Sequence, residues 1–395
     1  MSTKNEAFIT PAVMKWGRER ARITQAKVAK KTGVATHIVV AWEGGDKRPT
    51  FPQAKKLAQA LYLPFGYLFL TEPPADALPL PDFRTVGSVP AETSANLVDF
   101  VKEVIFKHRW YREHLIEEGA KELPFVGRYR TLENPEEVAG DIGAVLGLDD
   151  SKRREFSSSE AFHLGLIRMA EANRILVMRN RFVGGNRHRS LGVEEFRGFA
   201  ISDSIAPLIC INSDDAKAAQ IFTIAHELAH IWVGQTGISS QGLETPPSSN
   251  NTSIERFCNA VAAELLVPRS GILTIWDEGQ DVGTNVNAVR LRFKVSLLVS
   301  LRRAFDLEKM SLKEYRDRYS KEMARIVAKA AKEKVEKDAS GNPFNNLVSR
   351  NGLPFTEALV GAVKEGRLAY RDAAAMLSIK VDTIHKLGDH RMSGR

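Results

Sequence analysis

The sequence predicts a mostly helical α+β fold, and three observations lead to this prediction. Helix-forming segments with capping residues and glycine ends follow one another over the first seventy residues. Three short apolar runs of strand length in the middle of the chain predict a small sheet. An uncharged helical segment carrying HELAH follows them, and short helices close the chain. A length of 395 residues with 43% hydrophobic content is enough for two or three domains.

Composition excludes several classes of protein. No window approaches eighteen consecutive apolar residues, and the opening MSTKNEAFIT lacks the apolar stretch of a signal peptide. The two cysteines, Cys210 and Cys258, form neither a disulfide spacing nor a zinc-knuckle spacing. We therefore expect a cytoplasmic protein with no membrane span, in which both cysteines fill small core positions.

The positive charge of the chain lies at its amino end. The first seventy residues contain twelve lysines and arginines but only four acidic residues, which accounts for the whole net charge of +8. Such an asymmetry is typical of a segment that neutralises phosphates. On charge alone, a solvated basic surface without a partner remains an alternative.

The helical pattern of this basic segment favours DNA binding. A first helix runs from Pro11 to about residue 22, and Thr24 caps a second, QAKVAKK, which Gly33 ends in a tight turn. Further helices are predicted at about residues 35–43, closed by two glycines, at 51–63, and in a short fifth at 64–70. Two helices across a tight glycine turn form a helix-turn-helix, whose second helix enters the major groove of DNA.

The segments TQAKVAKKTGV and AWEGGDKRPTFPQAKKLAQAL closely resemble the Xre or phage-repressor type of helix-turn-helix domain over residues 12–71. The resemblance implies that Gln25 contacts phosphate and that Thr36, His37 and Ala41 face base edges. It also implies a core that contains Val28, Ala29, Ile38, Trp42 and Leu57. Ala35 and Ala41 depart from the polar residues often found there, so little base specificity is encoded.

We expect this domain, residues 1–72, to bind double-stranded DNA as a homodimer on a two-fold site. Lys47 and Arg48 lie in the loop after the third helix, and we expect them to contact phosphates.

Residues 73–96 are rich in proline and predict an extended linker, although PDFRT could pack on the next domain because Phe83 is large and apolar. A long amphipathic helix follows at about 97–119, as a spacer, a dimer face or a packing element.

The central region, residues 97–309, is predicted to be an α+β domain. Helices are expected over NPEEVAGDIGAVLGL and over residues 158–171, and strands over ILVMRN, GFAIS and PLICIN. The next helix carries His226, Glu227 and His230. Because side chains at i and i+4 share a helix face, both imidazoles can reach one metal ion, with Glu227 beside them.

This HExxH arrangement is that of the zincins. Two neutral histidines suit Zn²⁺, which at catalytic sites takes three protein ligands and keeps a position for water. Glu227 is then the candidate catalytic base, since it can take a proton from water that attacks a carbonyl. The motif is short enough to arise by chance, and two histidines inside an ordinary helix are the alternative, but the uncharged surroundings strengthen the metal hypothesis.

Four segments resemble the ImmA/IrrE-type metallopeptidases in order and approximate spacing over about residues 134–305. They are NPEEVAGDIGAVLGL, FRGFAISDSIAPLICIN, FTIAHELAHIWVG and IERFCNAVAAELLVP. The resemblance implies a zinc-dependent endopeptidase, whose substrate in several members is a helix-turn-helix repressor. It implies Glu255 as the third ligand, with a surface carboxylate as the alternative. Asn259, one turn on, could hold that carboxylate, whereas Glu264 points away.

The last region, residues 310–395, is predicted to be a helical module. An exposed helix over residues 310–337 is followed by SGNPFNN, which predicts a loop, and by three short helices from residue 353. The three faintly resemble a second helix-turn-helix, but a plain packing module is the favoured interpretation.

For the whole chain, the leading hypothesis is a DNA-binding regulator whose active zinc endopeptidase cuts a partner repressor or itself after a signal. The alternatives are a non-proteolytic regulator and a free-standing protease, which would leave the amino-terminal charge unexplained.

Overall fold

The computed structural model describes residues 5–82, 85–86, 89–90, 93–129, 134–239, 253–336 and 342–392. The chain forms two compact units: an amino-terminal unit of Met1–Pro79 with Glu92–Asp99, and a large unit of Leu80–Ala91 with Phe100–Arg395. Among the described residues no single helix is long and apolar enough to span a membrane. Only the pair Ser253–Leu266 and Arg269–Ile275 passes that test when joined, and it is bent by 47°.

In its described residues, the amino-terminal unit consists of helices and one isolated antiparallel bridge, between Glu6 and Thr50. Its elements are α1 (Pro11–Arg20), α2 (Gln25–Thr32), α3 (Thr36–Gly44), α4 (Phe51–Leu61) and a 3₁₀ turn (Phe65–Phe69). Thr24 caps α2 through its hydroxyl, which accepts the Lys27 N–H at 3.2 Å. Gly33 ends α2 at φ +76°, a conformation that glycine adopts without a steric penalty. The four predicted helices are confirmed, and the predicted fifth is a 3₁₀ turn.

Four of the five predicted core residues of this unit are buried, namely Val28, Ala29, Trp42 and Leu57. Ile38 is only half-buried, and its neighbour Val39 is fully buried instead. Val39 lies three residues before Trp42 and therefore on the same face of α3. Ile38, four residues before Trp42, packs against the same core at its edge, so its predicted place in the core is confirmed in part.

The sheet of the large unit has the order β3-β5-β4-β6. After a small hairpin, β1 (Thr85–Val86) and β2 (Val89–Pro90), the strands are β3 (Leu176–Arg179), β4 (Gly198–Ile201), β5 (Leu208–Ile211) and β6 (Gly237–Ser239). β3 and β5 are parallel, and β4 is antiparallel to both β5 and β6. The three predicted strands are confirmed, whereas β6 had not been predicted.

The edge strand β6 pairs with a stretch that the sequence assigned to the linker. Asp82 forms a parallel bridge with Ile238, whose N–H donates to the Pro81 carbonyl at 3.0 Å. Leu80–Ala91 accordingly belongs to the large unit. Phe83, the reason for expecting such packing, lies outside the described residues.

Helices surround the sheet. Before the metal motif lie α5 (Ala95–Glu117), α6 (Pro135–Leu146), α7 (Asp150–Arg154) and α8 (Ser159–Ala172), and the motif itself lies on α9 (Lys217–Val233). Every residue of α9 from Gln220 onward is buried. A helix that is apolar on all sides belongs in a core, and α9 packs against β4, β5, α6, α8 and the following helix.

From Ser253 onward, every element of the described chain is a helix. Its elements are α10 (Ser253–Leu266), α11 (Arg269–Ile275), α12 (Val282–Phe293), α13 (Leu297–Asp306), α14 (Leu312–Glu336), α15 (Pro343–Asn351), α16 (Leu353–Lys364), α17 (Tyr370–Leu377) and α18 (Val381–Met392). The loop predicted over SGNPFNN is wrong from Pro343 onward, because Asn342 caps α15 by accepting the Phe344 N–H at 2.9 Å. Residues 340 and 341 lie outside the described part.

Two regions of uncertain role in the sequence pack on the rest of the large unit. On α5, Phe100 lies against Phe196 with ring centroids 5.4 Å apart. The Lys107 ammonium, also on α5, donates to the Asn351 side chain at 3.0 Å, and Phe355 packs edge-on against Trp110. Packing is therefore the role that the structure gives to α5, α15 and α16.

Candidate functional site

Three side chains from α9 and α10 converge on one point. The Nε2 atoms of His226 and His230 are 3.0 Å apart. The Glu255 carboxylate places Oε2 3.3 Å from the first of these nitrogens and Oε1 3.1 Å from the second. In the part of the chain that the structure describes, this is the group of His, Cys, Asp and Glu side chains that could hold a metal ion.

The geometry of this group fits a metal ion. Ligand atoms about 2.0–2.1 Å from a tetrahedral ion lie roughly 3.3 Å from one another. The two Nε2 atoms are 3.0 Å apart, and each has one oxygen of the Glu255 carboxylate at a similar distance, 3.3 Å for His226 and 3.1 Å for His230. His226, His230 and Glu255 are each no more than 1% exposed. Two imidazoles with one carboxylate are also a donor set of catalytic zinc sites.

Electrostatics favour a cation at the same point. Burial alone would raise the pKa of Glu255, but the two imidazoles facing its carboxylate lower that pKa to about 2. Burial likewise opposes a charged His226, yet Glu255 raises the pKa of that imidazole. A buried carboxylate that keeps its charge requires positive charge beside it, which a protonated imidazole can supply and a metal ion held by neutral imidazoles would supply in its place.

Glu227 lies beside the ligands and is fully buried. Its carboxylate faces Gly198, the first residue of β4, where a Cβ atom would lie 2.8 Å from Glu227 Oε1 and 2.6 Å from Thr223 Cγ2. Only a glycine therefore lets β4 approach α9 at this point. Sequence reasoning missed Gly198, although a glycine at the start of an apolar strand can mark a close backbone approach.

Asn259 and Glu264 lie on the same helix as Glu255 but differ in role. The Asn259 side chain lies close enough to the His226 imidazole to help raise its pKa, and its predicted contact with the Glu255 carboxylate stays a prediction. Glu264 forms an ion pair with Arg303 and accepts the Arg269 N–H at 2.9 Å. Cys258 is fully buried, which raises the pKa of its thiol, and it is not part of the metal-binding group.

The predicted DNA-contacting residues lie on the surface of the amino-terminal unit. Thr36 and His37 are exposed at the start of α3, and Ala41 is half-exposed one turn later. In the loop after α3, Lys47 and Arg48 are exposed. The Arg48 guanidinium lies over the Phe8 ring, 4.0 Å from its centroid.

Gln25 is half-exposed at the start of α2, and one donor of its amide is already used. Its Nε2 donates to the Glu43 carboxylate at 2.7 Å, and Arg18 donates to the same carboxylate at 2.6 Å. An amide NH₂ has two hydrogens, so one remains for a phosphate oxygen. The network that Arg18, Gln25 and Glu43 form was not predicted, because it joins positions with no local periodicity.

Two of the twelve basic residues counted at the amino end are held by carboxylates. Arg18 pairs with Glu43, and the hydrogen bond from Arg18 to that carboxylate raises the pKa of its guanidinium. The Arg20 guanidinium donates two hydrogen bonds to the Asp76 carboxylate and two to the Asp99 carboxylate. The positive charge available to phosphates is therefore smaller than the sequence count indicates.

Comparison with known families yields three matches. Residues 14–68 match the model described as helix-turn-helix, residues 170–305 match the peptidase-family model described as IrrE N-terminal-like domain, and residues 351–390 match a domain of unknown function. Neither the curated proteins nor the solved structures compared with the chain include a match. The first two matches support a DNA-binding regulator that carries a protease-like domain.

Proposed function

Because the chain joins an Xre-like helix-turn-helix domain to an ImmA/IrrE-type domain, we propose that it is a cytoplasmic transcriptional regulator with a zinc-dependent endopeptidase. It cleaves a partner repressor or itself in response to a signal. The observation that carries this proposal is the convergence of His226, His230 and Glu255 directly beside a buried Glu227.

The three converging residues would hold Zn²⁺. When bound, that ion would polarise a peptide carbonyl and make water more acidic. Glu227 then acts as the base: its carboxylate takes a proton from the attacking water and passes it to the nitrogen of the leaving amine. Gly198 leaves room for this carboxylate, so the base is held in position by packing before substrate arrives.

The amino-terminal unit supplies the regulatory function. A homodimer places α3 of each copy in successive major grooves of double-stranded DNA, with Lys47 and Arg48 at phosphates. The protein substrate would be a helix-turn-helix repressor, as the resemblance to the ImmA/IrrE type implies, or the same domain of this chain.

One observation favours a second candidate function. His226, Glu227, His230 and Glu255 are each at most 1% exposed in the described structure, and a peptide needs access to them. A non-proteolytic regulator would keep the metal ligands for sensing or assembly without needing such access. Only the endopeptidase requires the Glu227 carboxylate as a base.

The test compares cleavage in cells. Wild type, Glu227→Ala and a control, Glu137→Ala on the exposed side of α6, are each co-expressed with cytosolic helix-turn-helix repressors. Mass spectrometry of protein N-termini then detects new cleavage sites. We expect the same new termini with wild type and the control, and none with Glu227→Ala. Identical patterns for all three proteins, with and without an activating stress, would favour the non-proteolytic regulator.

A further inference from the structure

The last two helices of the chain repeat the geometry of the amino-terminal helix-turn-helix. α17 has eight residues, as α2 has. Ser378 ends α17 in the left-handed conformation at φ +55°, as Gly33 ends α2 at φ +76°. Two residues then precede α18, as two precede α3.

The two turns are also closed by equivalent hydrogen bonds. After α2, the Val34 N–H donates to the Ala29 carbonyl at 3.1 Å, and after α17, the Ile379 N–H donates to the Ala374 carbonyl at 3.0 Å. Ala29 and Ala374 both occupy the fifth position of their helix. Ser378 adopts this conformation although it has a side chain, so the turn is maintained without the glycine that usually marks it.

Burial agrees at five equivalent positions of the two motifs and differs at one. The buried residues of the first motif are Val28, Ala29, Thr32, Val39 and Trp42, and their counterparts Ala373, Ala374, Leu377, Ile384 and Leu387 are buried too. Met376 is buried where Lys31 is exposed. This pattern of helix packing is therefore that of the helix-turn-helix, although the two sequences share few residues.

The outer faces agree as well. α3 exposes Thr36, His37 and Val40, its first, second and fifth residues, and the first two of these are assigned to DNA bases. α18 exposes its first, second, fifth and sixth residues, which are Val381, Asp382, His385 and Lys386. The amino-terminal half of α18 is therefore exposed to solvent in the same way as that of α3.

α16 completes the second motif. It packs against α17 and α18, and its residues Leu359 and Val363 are buried. The match to a domain of unknown function covers residues 351–390, so the three helices recur together as a unit. Packing on the rest of the large unit involves α15 and the start of α16, through Asn351 and Phe355, and the turn at Ser378, which lies against Gly185.

We propose that α16–α18 form a second helix-turn-helix that binds duplex DNA, with α18 in the major groove. Arg371, at the second position of α17, and Lys380, immediately before α18, contact phosphates, and Lys386 lies on the inserted face. The Arg371 side chain is 88% exposed, and both lysines are exposed. The favoured interpretation from the sequence, a plain packing module, accounts for α15 and α16 but leaves the outer face of α18 unexplained.

The charge of this face sets the expected strength of binding. Arg371, Lys380 and Lys386 are opposed by the exposed Asp372 and Asp382, so the excess of positive charge is small. An aspartate can accept a hydrogen bond from cytosine in the major groove but is repelled by phosphate. Each phosphate contact adds about −1 to the slope of log affinity against log salt concentration. Three contacts therefore give a slope of about −3 at most. The second motif therefore adds a weak contact beside the first.

The experiment uses the full chain with its first DNA site disabled by His37→Glu, Lys47→Ala and Arg48→Ala. Binding to a random 40-bp duplex at low salt is measured by fluorescence anisotropy. In this background, Arg371→Glu, Lys380→Glu and Lys386→Glu together should weaken binding by about tenfold or more. The matched control, Lys313→Glu, Arg316→Glu and Lys321→Glu, makes the same charge change on exposed positions of α14 and should have much less effect.

Equal weakening by both sets of changes would overturn the proposal, since net charge alone would then explain the binding. Absence of any binding in the disabled background would overturn it too, while DNA binding by the intact chain would still stand. If the changes on α17 and α18 alter self-association in sedimentation but not DNA binding, the face contacts protein instead. Circular dichroism verifies folding, and neutral glutamine substitutions at the same three positions replace any variant that does not fold.

Discussion

The metal-bearing helices and the amino-terminal helix-turn-helix hold their chemistry in opposite ways. The four side chains of the candidate metal centre are at most 1% exposed. The residues assigned to DNA, such as His37, Lys47 and Arg48, are exposed. A buried group has one geometry, fixed by its neighbours, whereas exposed side chains contribute separately to a partner that supplies the rest of the site.

This difference predicts how each region responds to substitution. At the buried site, the loss of one ligand leaves a charge without its partner, so each residue is indispensable. On the exposed face, the loss of one phosphate contact changes the slope of log affinity against log salt concentration by about 1. The loss of one base contact costs roughly 1–3 kcal/mol of binding free energy.

The largest effect is expected from removal of both imidazoles. Wild-type protein should carry about one zinc ion per chain, and His226→Ala with His230→Ala should carry none. Elemental analysis after dialysis measures the metal content, and His188→Ala, which changes an exposed histidine, serves as the control. Zinc retained by the double variant would show that the ion binds elsewhere.

Glu227→Gln separates catalysis from metal binding. Glutamine has nearly the same shape as glutamate but cannot take up a proton at neutral pH, so cleavage should be lost while zinc content stays at the wild-type value. Cleavage assays and elemental analysis on the same preparation measure both properties. If zinc is lost together with activity, Glu227 is a ligand and not a base.

Gly198→Ala tests whether packing holds the base in place. The added Cβ atom would lie 2.8 Å from Glu227 Oε1, so the carboxylate must shift. A displacement of about 1 Å costs on the order of 100-fold in rate, and we expect a fall of that size with zinc content unchanged. Gly140→Ala is the matched control, because a Cβ atom there meets nothing within 4 Å. Unchanged activity in Gly198→Ala would mean that this glycine does not position the base.

The same contrast explains what could be predicted from the sequence. The helices of the amino-terminal unit follow from local caps and glycines, and the two histidines follow from the i, i+4 spacing, because both signals are local. Glu255 was identified only through a family resemblance. The approach of Gly198 to Glu227, the bridge between Asp82 and Ile238 and the pairing of Arg18 with Glu43 join distant positions, which leave no periodic pattern in the sequence.

Local signals also had limits within the helices. Both Ile38 and Val39 are apolar, and only packing against the other helices of the unit selects Val39 as the buried residue. At the start of α15, the segment predicted as a loop contains asparagines and Pro343. The same residue types also begin helices, with a cap before a proline at the first position.

On the exposed face, Lys47→Ala with Arg48→Ala should weaken binding to all duplex sequences alike, because phosphate contacts carry no base information. The slope of log affinity against log salt should become shallower by about 2. Anisotropy titrations of the full chain at several salt concentrations measure this slope, and Lys55→Ala with Lys56→Ala removes the same charge from α4 for comparison. If the slope keeps its wild-type value, the loop does not contact phosphate.

The smallest effect, and the most selective, is expected from His37→Ala. His37 is the second residue of α3 and is exposed, so a good base contact there would affect preference at one base step by roughly 1–3 kcal/mol. Selection from random duplexes should give two-fold sites with half-sites about one helical turn apart, and the variant should relax one position in each half-site. The variant that lacks both metal-binding histidines should select the same sites as wild type. A change of sequence preference on loss of zinc would instead show that the buried and exposed sites are coupled, and the contrast between the two regions would no longer hold.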